Sequence, residues 1–270
     1  MLRNIRFCSV VITILLAICV QADGEMDKAD RLFEARFDDV KNVAAAKELY
    51  AKIIESKSQQ SLLRNEALDK YGRLALLEGE LLRAQLGIDK TRAKNIFEDC
   101  IQKTSYLSPE NSGSSTPQYT FWRAVCLGLW AQNSGVLAIT NWSRIKEMRA
   151  LVTTGLDKFK TFDNYGFNRL QAGLFLHGKG VLVPGFPFKP QSAWQLIMEA
   201  ITYGSTEVYS NYLLKAEIEV ALKQKAQAKR TLEQAIDRLE QKMQADNLAR
   251  DAQAEAKIYL EKMKSMLKTL

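Results

Sequence analysis

Proline and glycine are both scarce in this sequence, with five prolines and fourteen glycines among 270 residues. A β-sandwich or barrel needs turn residues at short, regular intervals, so this scarcity argues against an all-β fold and favours long helices. Hydrophobic residues make up 47% of the chain and charged residues 26%, which excludes the disordered class and provides for a continuous core. The composition therefore predicts an all-α fold.

Residues that carry common chemistry are also scarce. The only histidine is His177, no serine lies in a GxSxG motif, and no pair of cysteines has CxxC spacing. Nucleophilic catalysis needs a base held by a third group, and zinc sites need clustered Cys or His ligands. The GKG sequence at residues 178–180 lacks the spacing of a phosphate-binding loop. The sequence thus predicts a protein that is not an enzyme and holds no metal or cofactor.

One apolar run stands out, at residues 8–20, and it follows the positive charges of Arg3 and Arg6. Its length and flanking residues are typical of a secretory signal peptide, here residues 1–22 with cleavage before Asp23. An uncleaved anchor and lipidation at Cys19, which ends a Leu-Ala-Ile-Cys sequence, are the alternatives. We expect residues 23–270 to form a single helical-repeat domain in the periplasm, tethered to the membrane if Cys19 is lipidated.

The formal net charge is +7, and acidic residues are interleaved with the basic ones along the chain. This pattern is typical of solvated helix surfaces and indicates no nucleic-acid partner. Two cysteines, Cys100 and Cys126, follow the predicted signal. In an oxidising compartment they either form a disulfide or remain two small buried side chains.

A small-large-small pattern with i, i+4, i+7 spacing recurs along the chain. This spacing places the three side chains on one helix face, where small residues let neighbouring helices approach closely. It is typical of the second helix of a tetratricopeptide repeat. We therefore predict a tetratricopeptide-like helical solenoid of about eleven helices. The four copies are Ala46-Tyr50-Ile53, Ala93-Phe97-Cys100, Ala193-Ile197-Ala200 and Ala228-Leu232-Ala235.

Two segments interrupt the helical pattern. Residues 107–117 are rich in Ser, Gly, Asn and Pro and predict a loop, and residues 178–190 predict an irregular proline-rich loop in the middle of the chain. Between these loops we expect helices over 142–159 and 164–177, and residues 248–270 predict a terminal capping helix with a polar outer face. Asp89 and Asn141 are the predicted N-caps of two helices.

Arg169 is the strongest candidate for a binding residue, because it lies on an otherwise apolar helix face. Its guanidinium is expected either to meet a carboxylate or loop carbonyls, or to pin the proline-rich loop. Trp122, Tyr165 and Trp194 are further candidates for ligand or partner contacts, with the tryptophans alternatively belonging to the core.

Residues 160–240 resemble the T-component family associated with TRAP transporters. The resemblance rests on Asn164-Tyr165-Gly166, Arg169, Gly173, Pro184 and the helix that contains Ala193 and Ala200. It implies a periplasmic helical protein that associates with a substrate-binding protein and binds a hydrophobic or organic-acid ligand. The alternative function is a general cell-envelope scaffold without a small ligand. Homo-oligomerisation is left open.

Overall fold

The structure of the protein, a computed structural model, describes residues 24–57, 59–81, 87–135, 141–177, 187–245 and 250–270. Within these ranges every regular element is a helix and no strand forms. The predicted all-α class is therefore confirmed. The predicted signal peptide, including Cys19, and most of the predicted proline-rich loop (178–186) lie outside the described residues.

Residues 24–34 form helix α1, and eleven further helices follow it in the described part of the chain. A π-helical turn, Leu77–Leu81, continues α3. The helices are α2 (Lys41–Glu55), α3 (Ser61–Leu76), α4 (Lys90–Ser105), α5 (Pro109–Ser112), α6 (Pro117–Ser134), α7 (Trp142–Lys158), α8 (Gly166–His177), α9 (Pro190–Tyr203), α10 (Tyr209–Ala221), α11 (Lys225–Gln244) and α12 (Arg250–Thr269).

Several helices begin at residues that satisfy the free amide groups of the first turn. The side chain of Asp89 accepts from the Arg92 amide, and that of Asn141 accepts from the Arg144 amide, so both predicted caps are confirmed. Thr116 caps α6 in the same way, and Pro117 follows it at the first helical position. Proline suits this position because its missing amide hydrogen would have no partner there.

Two predicted boundaries were wrong. The segment 107–117 is not entirely a loop, because Pro109–Ser112 form the short helix α5. Helix α8 begins at Gly166 and not at Asn164, because Asp163, Asn164 and Tyr165 have positive φ angles and lie outside the helical region.

Every position of the four predicted repeat copies is buried. The small residues lie where helices meet, and the large residues fill the space between them, as close packing of helix faces requires. The buried positions are Ala46, Tyr50, Ile53, Ala93, Phe97, Cys100, Ala193, Ile197, Ala200, Ala228, Leu232 and Ala235.

Most helices pack against their neighbours along the chain, α4 packs most extensively against α6, and a further set of contacts joins helices that are not neighbours. Helix α3 contacts α6, α6 contacts α8, and α8 contacts α10. We call α3, α6, α8 and α10 the four-helix row. Helix α12 contacts α10 and α11, so the row continues toward the C-terminus.

Three hydrophobic clusters form the core. The first extends from α1 to α8, the second joins α10, α11 and α12, and the third joins α8, α9 and α10. Within the first, the Phe121 ring meets Trp122, Phe162 and Phe167 edge-on, with ring centroids 5.1 to 5.5 Å apart. This aromatic group fixes α6 against the connection from α7 to α8.

Candidate functional site

The connection between α7 and α8 contains a left-handed turn. Asp163, Asn164 and Tyr165 have φ angles of 50°, 50° and 63°. Each non-glycine residue in this region costs on the order of 1 kcal/mol or more, so such a conformation persists only where its surroundings hold it. The turn therefore needs a stabilising contact from elsewhere in the chain.

Arg169 supplies that contact from the first turn of α8. Its Nη1 donates to the Asn164 carbonyl (2.6 Å), and its Nη2 donates to the Asp163 carbonyl (2.7 Å) and to the Asp163 carboxylate. Burial lowers the pKa of the Arg169 guanidinium, and the charge of Asp163 opposes that effect. Arg169 thus meets a carboxylate and loop carbonyls, and these groups belong to the turn between α7 and α8. Among the described residues it does not pin the proline-rich loop.

The Asp163 carboxylate extends this contact to α3 and α6. Its Oδ1 accepts from Arg73 Nη2 (2.9 Å), and Arg73 Nε donates to Asp69 (2.9 Å). The other oxygen of Asp69 accepts from the Trp122 indole nitrogen (2.8 Å). The five connected residues are Asp69, Arg73, Trp122, Asp163 and Arg169, and we call them the Arg–Asp network. The network joins α3, α6 and α8, which are three members of the four-helix row.

The charges of this network also act on a tyrosine of α12. Burial raises the pKa of the Tyr259 phenol to about 12, and a hydrogen bond with Ser210 opposes the shift. The charges of Arg169 and Asp163 also act on this phenol, Arg169 lowering its pKa and Asp163 raising it. Tyr259 itself packs against the second hydrophobic cluster, with α10 and α11.

Lys262 lies one helical turn further on in α12. Burial lowers the pKa of the Lys262 amine, whereas the carboxylates of Glu80 and Glu217 favour its charged form. Glu80 belongs to the π-helical turn after α3, and Glu217 lies on α10.

A separate cleft of about 400 Å³ lies between the start of α10 and the second half of α11. The Arg238 guanidinium lies 6.0 Å from the centre of the Tyr212 ring, and its Nη1 donates to the Tyr212 hydroxyl at 3.4 Å. Lys242 pairs with Glu207 at the edge of the cleft. The lining thus combines aromatic surface with one guanidinium that is exposed to solvent.

The structure places the four predicted binding residues in two groups. Trp122 and Arg169 belong to the Arg–Asp network, whereas Tyr165 and Trp194 both pack against the third hydrophobic cluster. Trp122 is almost fully buried and Trp194 half-buried. The Tyr165 ring also stacks at a tilt against the exposed Tyr203 ring, with centroids 6.3 Å apart.

Sequence reasoning missed most of the network. The spacing along the chain of Asp69, Arg73 and Asp163 is that of ordinary surface charges. Arg73 and Asp163 are 90 positions apart, and no local sequence pattern links them. The one available signal is the Asp-Asn pair at 163–164, since both residue types tolerate positive φ angles better than others do.

The cysteines after the predicted signal lie together between α4 and α6. A disulfide joins Cys100 and Cys126, with a Cα–Cα distance of 6.0 Å, and both side chains are buried. His177 ends α8, and its Nε2 lies 3.5 Å from the Glu217 carboxylate.

Two searches for other kinds of site gave nothing within the described ranges. No group of three or more His, Cys, Asp or Glu side chains is placed to hold a metal ion there. None of the helices described above combines the length and apolar character needed to cross a membrane.

No protein-family model matches this chain, and no curated protein sequence matches it. The resemblance of residues 160–240 to the T-component family stays a prediction.

Proposed function

We propose that this chain is a non-catalytic adaptor of the cell envelope that binds a partner protein on the face of its four-helix row. The observation that carries the proposal is the succession of contacts from α3 through α6 and α8 to α10, with the tetratricopeptide-type positions of the sequence buried. Helix pairs that stack in this way form solenoids, and solenoids offer extended surfaces for partner proteins.

The Arg–Asp network supports this use of the row. Its charges are paired across separate elements, so the surface they form is fixed before any partner arrives. Arg73 is the most accessible member, with 45% of its side chain exposed. A rigid surface loses little conformational entropy on binding, which favours affinity.

The state of the two cysteines after the predicted signal supports the non-catalytic part of this proposal. Cys100 and Cys126 are bonded to each other. The disulfide leaves neither of these two thiols free to act as a nucleophile.

We propose export to the periplasm, and a substrate-binding protein of a TRAP-type uptake system as the first partner to test. To test this, the full chain with a C-terminal tag is expressed in its native host, and bound envelope proteins are identified. The matched variants are Arg73→Gln, in the network, and Arg149→Gln, an exposed arginine on α7 outside the row.

Recovery of a substrate-binding protein that is lost with Arg73→Gln and kept with Arg149→Gln supports the TRAP adaptor. The same dependence for unrelated envelope proteins supports the alternative, a scaffold without a small ligand. Equal recovery by all three proteins, each checked for an unchanged thermal midpoint, would show that the row is not the binding face.

The cleft between α10 and α11 favours a second function, the binding of an organic acid. Arg238 forms no ion pair with a carboxylate in the part of the chain that the structure describes. It lies beside the Tyr212 ring in a cleft that also contains the Lys242–Glu207 pair. A guanidinium beside aromatic surface suits an aromatic carboxylate. Calorimetry with benzoate should show binding that Arg238→Gln weakens at least tenfold, whereas Arg230→Gln, an exposed arginine on the same helix, leaves it unchanged. No benzoate binding to the unmodified chain contradicts this second function.

A further inference from the structure

Helix α7 exposes one side along most of its length. With 3.6 residues per turn, Trp142, Lys146, Arg149 and Thr153 lie along that side, and all four are exposed to solvent. Trp142 is 42% exposed, which is unusual for so large an aromatic residue. The buried positions lie on a different side of the helix and are Ile145, Met148, Val152 and Gly155.

The charged residues of α7 that reach neighbouring helices are paired. Arg144 donates to both carboxylate oxygens of Glu98 on α4, at 2.7 and 2.5 Å. Glu147 accepts from Arg123 on α6, at 2.7 and 3.2 Å. Such two-pronged contacts are the strongest ion pairs in proteins. They hold α7 in place, and each cancels its own charge.

The cations on the exposed side have no carboxylate partner. Neither Lys146 nor Arg149 forms a salt bridge with a residue that the structure describes. The Lys146 amine lies 5.9 Å from the centre of the Trp142 ring, within the range of a cation–π contact. The acidic residue on this side, Asp157, lies eight positions beyond Arg149, or about 12 Å along the helix. The first half of the exposed side is therefore positive.

The start of α4 adds further positive charge. Glu98 is bonded to the first turn of α7, and Lys90, Arg92 and Lys94 precede it within about two helical turns. These three cations also form no salt bridge within the described ranges. The neighbouring Asp89 accepts from the Arg92 amide as the helix cap. We use the name basic surface for the set Lys90, Arg92, Lys94, Trp142, Lys146 and Arg149.

We propose that the basic surface binds an anionic lipid bilayer, with the Trp142 ring placed among the lipid headgroups. Lysine and arginine side chains near an anionic leaflet each strengthen binding to it. An indole combines apolar area with one polar group, and tryptophan is accordingly enriched where a membrane meets water. A soluble polyanion would neutralise the cations but would offer the exposed indole no such environment.

This inference goes beyond the proposed function, because the basic surface lies outside the four-helix row. The chain could then hold a partner protein on the row while α4 and α7 rest on the membrane. The proposed export to the periplasm would bring the chain to such a surface. Attraction to the bilayer would add to any lipid tether, since two weak membrane signals together give stable attachment.

The test measures sedimentation of the protein, isolated from its host envelope, with two kinds of lipid vesicle. One kind contains phosphatidylcholine alone, and the other also contains the anionic lipid phosphatidylglycerol. We expect association with the anionic vesicles to be at least tenfold stronger, and the difference to shrink as salt is added. A lipid on Cys19 would act equally on both kinds, so it does not affect the ratio. Equal association with both kinds would overturn the proposal.

Matched double variants locate the attraction. Lys146→Gln combined with Arg149→Gln should reduce the preference for anionic vesicles at least tenfold. Lys225→Gln combined with Arg230→Gln removes the same charge from exposed positions of α11 and should retain the preference. All four positions are exposed, and unchanged thermal midpoints confirm folding. Equal losses in the two double variants would show that net charge alone attracts the chain, which would overturn the proposed surface.

Trp142→Ser distinguishes a bilayer from a soluble acidic partner. Binding to anionic vesicles should shift the tryptophan emission of the unmodified protein to shorter wavelength, because the indole leaves water. Trp142→Ser should remove that shift and weaken vesicle binding several-fold. Heparin provides a polyanion without a bilayer. Vesicle binding that Trp142→Ser leaves unchanged, together with heparin binding that depends on Lys146 and Arg149, would replace the membrane by a soluble acidic partner.

Discussion

Single glycines set the distance between helices at two points of the core. A methyl group added to Gly155 would lie 2.0 Å from the Phe167 ring, and one added to Gly72 would lie 2.2 Å from the Trp122 indole. Real carbon atoms do not approach so closely, so an alanine at either position would force the aromatic ring or the helix to move. These glycines are required for packing and not for their backbone conformation.

We expect Gly155→Ala to lower the free energy of unfolding by about 1–3 kcal/mol, the usual cost of overpacking a core. Gly173→Ala, in α8, is the matched control, because a methyl group there meets no atom within 4 Å. It should raise the free energy of unfolding by roughly 0.5–1 kcal/mol, since alanine restricts the unfolded chain. Urea unfolding of both variants measures the difference, and equal midpoints would contradict this account.

A second residue-scale prediction concerns pH. Glu98 accepts two hydrogen bonds from the Arg144 guanidinium, at 2.7 and 2.5 Å, and these bonds hold the pKa of Glu98 below 4.5. Because the pKa is lower in the folded state, Glu98 contributes stability above its unfolded-state pKa. That contribution is lost as the pH falls through the folded-state value.

The stability cost of Glu98→Gln should therefore be present at neutral pH and disappear in acid below the folded-state pKa of Glu98. Urea midpoints measured across this range check the expectation. Glu233→Gln, an exposed carboxylate on α11, is the control and should cost little at any pH. A cost for Glu98→Gln that grows toward acid would show that the sign is wrong.

At the scale of the element, the disulfide is the strongest single link between α4 and α6. It closes a loop between residues separated by 26 positions, and closing such a loop stabilises a protein by about 2–4 kcal/mol through the unfolded state. Replacing both cysteines by alanine should lower the free energy of unfolding by this amount. A reducing agent should destabilise the unmodified chain and leave the double variant unchanged, and a chain insensitive to the reductant would exclude the link.

The helices could be predicted where their signals are local. The spacing of Ala93, Phe97 and Cys100 and the cap at Asp89 lie within about one helix, so the sequence alone identifies the helix and its buried face. The start of α8 could not be predicted, because the left-handed turn before it depends on Arg169.

The candidate site was predictable only in part, for a related reason. Arg169 and Trp122 were accessible to sequence reasoning because each is unusual in its own helix. Their partners Asp163 and Asp69 acquire meaning only from contacts between distant segments. Residue spacing along the chain contains no record of such contacts.

At the scale of the whole molecule, the proposed export depends on the predicted signal peptide, residues 1–22. We expect the mass of the protein isolated from its host to match a chain that begins at Asp23. A chain beginning at an acylated Cys19 has a different mass and would establish a lipid tether. The mass of the full 270-residue sequence would contradict cleavage altogether. Intact-mass spectrometry distinguishes these three outcomes in a single spectrum.

The disulfide also changes how the chain is connected. Helices α4 and α6 are joined twice, once by the peptide chain through α5 and once by the sulfur atoms of Cys100 and Cys126. The segment around Gly113 and Ser114 is exposed, so a protease that cuts there would leave two fragments held as one molecule. Such a nicked protein would migrate as one band on a non-reducing gel and as two after reduction.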